Sequence, residues 1–183
     1  MHDDNRRWNQ KYRTLPMPTH VSKILKDYVQ YAKIADALDI ACGQGRHSVF
    51  LAELGFHVEA VDISEVALSH LKNVTNVTPV CADLDTYTLT QTYDLIVNIN
   101  YLDRTLVPQI KEALKPEGII IFETFVEAEG VGFHQPSNRA YVLHVNELLA
   151  LFCDLEIIYY EEKVDTNLRG ENVKIASLVA RKP

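Results

Sequence analysis

Seven short runs rich in Val and Ile alternate with stretches of helical periodicity along this 183-residue chain, and that alternation restricts the fold more than any other feature. The runs lie near 36–42, 57–63, 77–82, 93–100, 118–125, 155–163 and 173–181. Strands that alternate with helices build βαβ units and a largely parallel sheet, with helices covering its faces. The expected class is α/β, a doubly wound seven-stranded mostly parallel sheet. Only the segment Asp165 to Asn172 joins the last two runs, and it reads as the turn of an antiparallel C-terminal hairpin. A helix is expected over 105–115, where Leu106, Val107, Ile110, Ala113 and Leu114 share one face, with Thr105 as N-cap and Lys115-Pro116-Glu117-Gly118 as the stop. Another starts at Ser64, and Gly55 closes one over 46–54. Leu84 to Thr92 is polar and weakly periodic, so the crossover there is expected to be short or a loop. The whole of 1–183 reads as one domain, long enough to bury roughly 70% of its unfolded surface.

Composition narrows the function classes. No stretch approaches the ~20 apolar residues of a membrane span, and the charged opening through Arg7 lacks the apolar core of a signal peptide, so a cytoplasmic protein is expected. Cys42, Cys81 and Cys153 are odd in number and far apart, which argues against disulfides or zinc and for reduced, mostly buried thiols. The net charge of −7 opposes a nucleic-acid partner, since the one basic cluster is Arg6-Arg7 to Arg13. The expected partner is a small-molecule substrate, with no membrane and no metal, for a monomer or homodimer.

The chemistry is concentrated in Leu38-Asp39-Ile40-Ala41-Cys42-Gly43-Gln44-Gly45-Arg46-His47, a strand that runs through a glycine turn into a helix. Such a turn lets backbone approach a ligand and points free N–H groups at it. Asp62 ends the second strand nineteen positions after Gly43, where its carboxylate can accept hydrogen bonds from both hydroxyls of a ribose. Together these imply a nucleoside-containing cofactor. NAD is disfavoured, because Ser48 stands where the third glycine of a dinucleotide fingerprint belongs.

The segment Asp39 to Gly45 resembles the first motif of the class I S-adenosylmethionine-dependent methyltransferases, with Ala41 in place of the first glycine. Val61-Asp62 is similar to their acidic second motif, Cys81-Ala82-Asp83-Leu84 to the adenine-contacting third segment, Tyr93 to Val97 to the fourth strand, and Leu114 to Gly118 to the turn before the fifth. The resemblance implies a Rossmann-like methyltransferase fold with S-adenosyl-L-methionine as cofactor and S-adenosyl-L-homocysteine as product. It implies a cofactor site made from Asp39, Ala41, Gly43, Gly45, Asp62, Ile63, Asp83, Leu84 and Asn98, with Asp62 on the ribose and Asp83 on the adenine amino group. Asp39 either touches the ligand or braces the glycine turn. Trp8-Asn9-Gln10-Lys11-Tyr12 is similar to the N-terminal segment of small bacterial tellurite-resistance and thiol methyltransferases.

On the acceptor side the sequence is less specific. Asn98-Ile99-Asn100-Tyr101 lacks the prolines of the N-P-P-Y sites of enzymes that methylate the amino groups of nucleic-acid bases, and no Pro-Cys pair offers a nucleophile for cytosine. The loop 126–139, which carries Glu127, Glu129, Gly130, Gly132, His134, Pro136 and Arg139, follows the fifth strand, where lids commonly form. The expectation is an enclosed pocket under that loop and an N-terminal lid segment over 1–30, with Arg46, His134, Arg139 and Tyr12 as acceptor-side candidates and Trp8 beside them. His57, His70 and His144 are read as structural, and His47 as a packing or capping residue. The acceptor is expected to be a thiol, a metalloid oxyanion or a carboxylate. Two rivals are an aminopropyl transferase on the same fold and a catalytically silent S-adenosylmethionine-binding module.

Overall fold

The computed structural model describes residues 2–130, 132–167 and 170–183. An N-terminal helix α1 (His2–Thr14) and a short α2 (Lys23–Tyr28) precede β1 (Asp36–Ile40), α3 (Arg46–Glu53), β2 (His57–Asp62), α4 (Glu65–Leu68) and β3 (Val77–Cys81). The chain continues through β4 (Tyr93–Ile99), α5 (Val107–Ala113), β5 (Leu114–Phe125), α6 (Glu147–Leu151), β6 (Glu156–Thr166) and β7 (Asn172–Arg181). These strands form one sheet in the order β3-β2-β1-β4-β5-β7-β6. The first five pair in parallel and β7 runs antiparallel to both β5 and β6, as the sequence pattern predicts. Of the hairpin turn, Leu168 and Arg169 lie outside the described residues, as does Val131 of the 126–139 loop.

Two apolar layers sandwich the sheet. One holds Ile96, Phe122, Phe152 and Ile110, the other Leu25, Leu51, Phe56 and Ile121. Each such side chain, fully buried, contributes roughly 1.5–3 kcal/mol. β4 is buried along all seven residues because it pairs on both sides and is covered on both faces. At the edge opposite the glycine turn, Lys115 Nζ bridges Asp36 and Asp94 at 2.7 Å each, joining the starts of β1 and β4 to β5. Lys182 Nζ reaches the carbonyls of Lys111, Glu112 and Leu114, satisfying acceptors left free at the end of α5.

Four expectations need correction. Asp103, not Thr105, caps the connection from β4 to β5, because its carboxylate accepts both the Thr105 amide and hydroxyl; a single turn over Arg104–Leu106 then leads into α5. That helix ends at Ala113 rather than 115, since Leu114 is already extended and paired with Tyr93. The last two strands run to Thr166 and from Asn172, longer than their apolar cores, since backbone pairing continues past the end of burial. Cys81 and Cys153 are exposed: Cys81 ends the edge strand β3 and Cys153 follows α6, so only Cys42 is buried. Ser64 does cap α4, accepting from the Ala67 amide, and Leu84 to Thr92 forms no helix. No helix among the described residues is long and apolar enough to cross a membrane.

Candidate functional site

β1 and β4 are neighbours whose connections leave in opposite directions, toward β2–β3 and toward β5–β7–β6. Ligands of open α/β sheets bind outside the carboxyl ends of such strands. The glycine turn emerges there. Ala41, Gly43 and Gly45 take φ of 53°, 57° and 84°, all left-handed. Glycine adopts that conformation without cost, whereas Ala41 holds it against its own Cβ. A Cβ on Gly45 would lie 2.4 Å from Leu71, and one on Gly43 2.8 Å from the Tyr12 hydroxyl.

Asp62 stands beside this turn, almost fully buried. Its Oδ2 accepts the Gly43 amide and its Oδ1 the Ser64 amide, both at 2.8 Å. Burial pushes its pKa up and the amides of Ser64, Gly43 and Ile63 oppose that. Each oxygen keeps a lone pair for a further donor. Asp39 is wholly buried and faces α3 instead, where Ser48 Oγ donates to it at 2.6 Å. Burial raises its pKa to about 7, the Ser48 hydroxyl and Arg46 opposing. It is tied to α3, the helix that follows the glycine turn.

Asn98 ends β4 beside Ile40 of β1. Its Oδ1 is buried and accepts no hydrogen bond from a described residue, and the same holds for Gln44 Oε1. Orphaned buried acceptors are uncommon and want a ligand donor or water. Beyond β3, Leu84 is buried and Asp83 Oδ1 accepts the Asp85 amide in a tight turn, so one carboxylate oxygen is engaged locally.

Helix α1 lies along this cleft. Asn5 Nδ2 donates to the Ile63 carbonyl at 2.7 Å, and Asn9 Oδ1 accepts Ser64 Oγ at 2.6 Å and the Val66 amide at 3.2 Å. Gln44 Nε2 donates to the Leu15 carbonyl. Tyr12 thereby sits over Gly43, and Trp8 stacks on it with centroids 5.6 Å apart. Burial, then Asp62, keeps the Tyr12 phenol protonated far above its ordinary range. Cavities of about 320 Å³ beside α1 and about 190 Å³ between α2 and the β6–β7 hairpin flank the cleft that the helix covers.

Arg46 opens α3, half-buried, its Nε donating to His47 Nε2 at 3.1 Å. Burial holds the His47 pKa down to about 3, so the ring is a neutral acceptor, shared with Ser22. The guanidinium ends of Arg46 donate to no carboxylate among the described residues, although Asp39 and Glu123 act on it electrostatically. Glu123, on β5, receives Ser177 Oγ at 2.6 Å. Sequence reasoning missed Asn5, Asn9 and Glu123, whose significance comes from contacts across 54–58 positions of chain.

The structure does not gather the other acceptor-side candidates around the cleft. Arg139 is exposed and hydrogen-bonds Gln135, and His134 pairs with Glu171 at 3.5 Å near the hairpin turn. The segment after β5 is also not a loose flap. Val126 is fully buried and bridged to Leu143, and Arg104 anchors it through the carbonyls of Ala140 and Val142 and an ion pair with Glu147.

This fold is that of the Rossmann-like methyltransferases. The crystal structure of TehB from Haemophilus influenzae is similar with a TM-score of 0.79 and 24% identity, covering 98% of this chain and 67% of that one. The N-methyltransferase NodS from Bradyrhizobium japonicum WM9, in complex with S-adenosyl-l-homocysteine, is similar with a TM-score of 0.68 and 17% identity, over 99% of this chain and 90% of that one. The family model described as tellurite resistance protein TehB matches residues 2–176, and the chain belongs to that family. A probable S-adenosyl-L-methionine-dependent methyltransferase TehB of Haemophilus influenzae is 29% identical over 177 residues, 85% of this chain and 61% of the relative. The chain thus spans about three fifths of the length of that relative.

Proposed function

We propose that this protein is an S-adenosyl-L-methionine-dependent methyltransferase acting on a small-molecule acceptor, a thiol, a metalloid oxyanion or a carboxylate. The observation that carries the reading is Asp62, a strand-end carboxylate fixed by two backbone amides beside a left-handed glycine turn, with free lone pairs for ribose hydroxyls. The buried, unpaired Asn98 Oδ1 at the adjoining strand end supports it, because a polar ligand there removes the penalty of an unsatisfied acceptor. In this reading Asp62 holds the ribose, Asp83 with Ile63 and Leu84 the adenine, and the backbone from Ala41 to Gly45 with Asn98 the methionine part. Bound there, the cofactor supplies an electrophilic methyl group on a sulfonium.

The chain's own residues orient and enclose. Asn5 and Asn9 fix α1 across the cleft, Tyr12 and Trp8 close it, and His47 holds Arg46 with its cationic end toward the acceptor side. Orientation alone can supply much of a displacement's rate, since well-placed reactants reach effective molarities of ~10⁵–10⁸ M. Calorimetry tests the reading: S-adenosyl-L-homocysteine is expected to bind and NAD not. Asp62→Ala is expected to stay folded and lose roughly 1.5–3 kcal/mol per hydroxyl bond. Unchanged affinity in the folded variant removes the ribose assignment.

A further inference from the structure

Glu123 lies at the carboxyl end of β5, level with Ile99 of β4, on the side of the switch point away from Asp62 and β3. It is a half-buried carboxylate on the β5 side of the switch point, within electrostatic reach of Arg46. Only its Oε2 is engaged by a described residue, Ser177 Oγ at 2.6 Å, and Ser177 also lines the cavity of about 190 Å³ that includes Lys163 and Tyr159. The charged and titratable groups that act on it are Arg46 from α3 and Lys163, Asp165 and Tyr159 from β6. The fold hydrogen-bonds one oxygen and leaves the other for a reacting partner.

Resting on the reading above, we propose that Glu123 Oε1 accepts the proton of a neutral thiol as the thiol is methylated. The thiol sulfur forms the bond to the methyl carbon, the methyl–sulfonium bond breaks with its electron pair passing to the departing thioether, and the S–H proton passes to the carboxylate. Charge balances, since a cationic donor, a neutral thiol and an anionic carboxylate give two neutral thioethers, the methylated acceptor and the departing donor, and a carboxylic acid. The reacting group is identified by elimination. A carboxylate at this point repels an anion at the reacting atom, the neighbouring Arg46 repels an ammonium, and a hydroxyl is a far weaker acid than a thiol and so a poorer match for a carboxylate base. A thiol, near pKa ~8.5, is within reach of a carboxylate whose own pKa burial has raised. The rest of the acceptor is free to carry the negative charge that Arg46 favours.

The test compares two thiols in the full chain, 3-mercaptopropionate, protonated at sulfur near pH 7, and pentafluorothiophenol, already ionised. Glu123→Gln keeps an acceptor for Ser177. It is expected to slow methylation of the alkyl thiol by ~10²-fold or more, while the aryl thiolate reacts at the same rate or faster because the repelling charge is gone, and S-adenosyl-L-homocysteine affinity stays nearly unchanged. The step in the alkyl-thiol rate where Glu123 ionises, above the ordinary carboxylate range, should be missing in Glu123→Gln, whose rate follows only the ionisation of the thiol itself, and persist at reduced rate in Glu123→Asp. Carbon-13 NMR of the product-bound protein should show, besides the buried Asp39 and Asp62, a further carboxyl that titrates late and is missing from the Gln variant. Equal loss with both thiols, or no such late carboxyl, overturns the proposal. A wild-type protein that binds S-adenosyl-L-homocysteine but methylates neither thiol also overturns it and leaves the cofactor reading standing, whereas failure to bind the cofactor product removes both.

Discussion

The two halves of the cleft are built by different means. On the β1–β2–β3 side the ligand-facing groups are held by backbone: three left-handed residues in five positions, and Asp62 fixed by the amides of Gly43 and Ser64. On the β5–β7–β6 side they are held by side chains. Glu123 depends on Ser177, the segment after β5 on Arg104, and His134 and Arg139 sit on the surface. A backbone-built site binds the same ligand in any chain that folds this way, while a side-chain-built one can change its ligand without disturbing the fold. The first half is accordingly rigid and intolerant of substitution, the second tolerant.

The sharpest way to break that contrast is Gly45→Ala. The new Cβ meets Leu71 at 2.4 Å, and φ of 84° is strained for any residue with a side chain. Overpacking and left-handed strain each cost about 1–3 kcal/mol, so up to about 6 kcal/mol of stability should be lost, together with binding of S-adenosyl-L-homocysteine. Urea unfolding measures the first and calorimetry the second. A variant that melts and binds like wild type would show that the turn is as tolerant as the other side.

Asp39→Asn gives the next largest effect, and its sign depends on pH. The folded pKa of about 7 lies above the unfolded value of ~3.9, so the Asp39 contribution is fully present below about pH 4 and is lost as pH rises through 7. Asparagine, which still accepts from Ser48 and never ionises, should match wild type at low pH and exceed it by up to about 4 kcal/mol at pH 8. His47 works the other way: its pKa, held near 3, gives stability present above ~6.5 and lost as pH falls. The two trends oppose each other between pH 4 and 6.5, so the difference between variant and wild type, not either curve alone, isolates Asp39. A difference independent of pH would mean that Asp39 is ionised in the folded protein.

What could be read in advance divides along the same line. The strand positions, the glycine turn and Asp62 are legible because each leaves a local mark: apolar runs at strand length, glycines where φ must be positive, an acid at a strand end. Asn5 and Asn9 leave none, since asparagines on a polar helix read as solvated until Ile63 and Ser64 are brought under them. Glu123 likewise looks like a strand-end charge until β7 places Ser177 beside it. Arg139 and His134 were legible as cations in a loop but not as surface residues, because the burial of Val126 and Leu143 turns that loop onto the protein and leaves its charges outside.

Arg139→Ala tests how far the tolerant half extends and should give the smallest effect. The side chain is exposed and its partner is Gln135 on the same loop, so stability should shift by less than about 0.5 kcal/mol and cofactor affinity not at all. If Arg139 serves as a rim cation for the charged part of an acceptor, the interaction is screened by water and is worth about 1 kcal/mol or less, about a fivefold rise in KM at most. That rise should appear with 3-mercaptopropionate, shrink as salt is raised and be missing for an uncharged alkyl thiol, with kcat the same for both. Equal KM changes for charged and uncharged thiols would place Arg139 outside the acceptor site. Arg104 on the same side, by contrast, acts on the fold rather than on the ligand through its ion pair and carbonyl contacts.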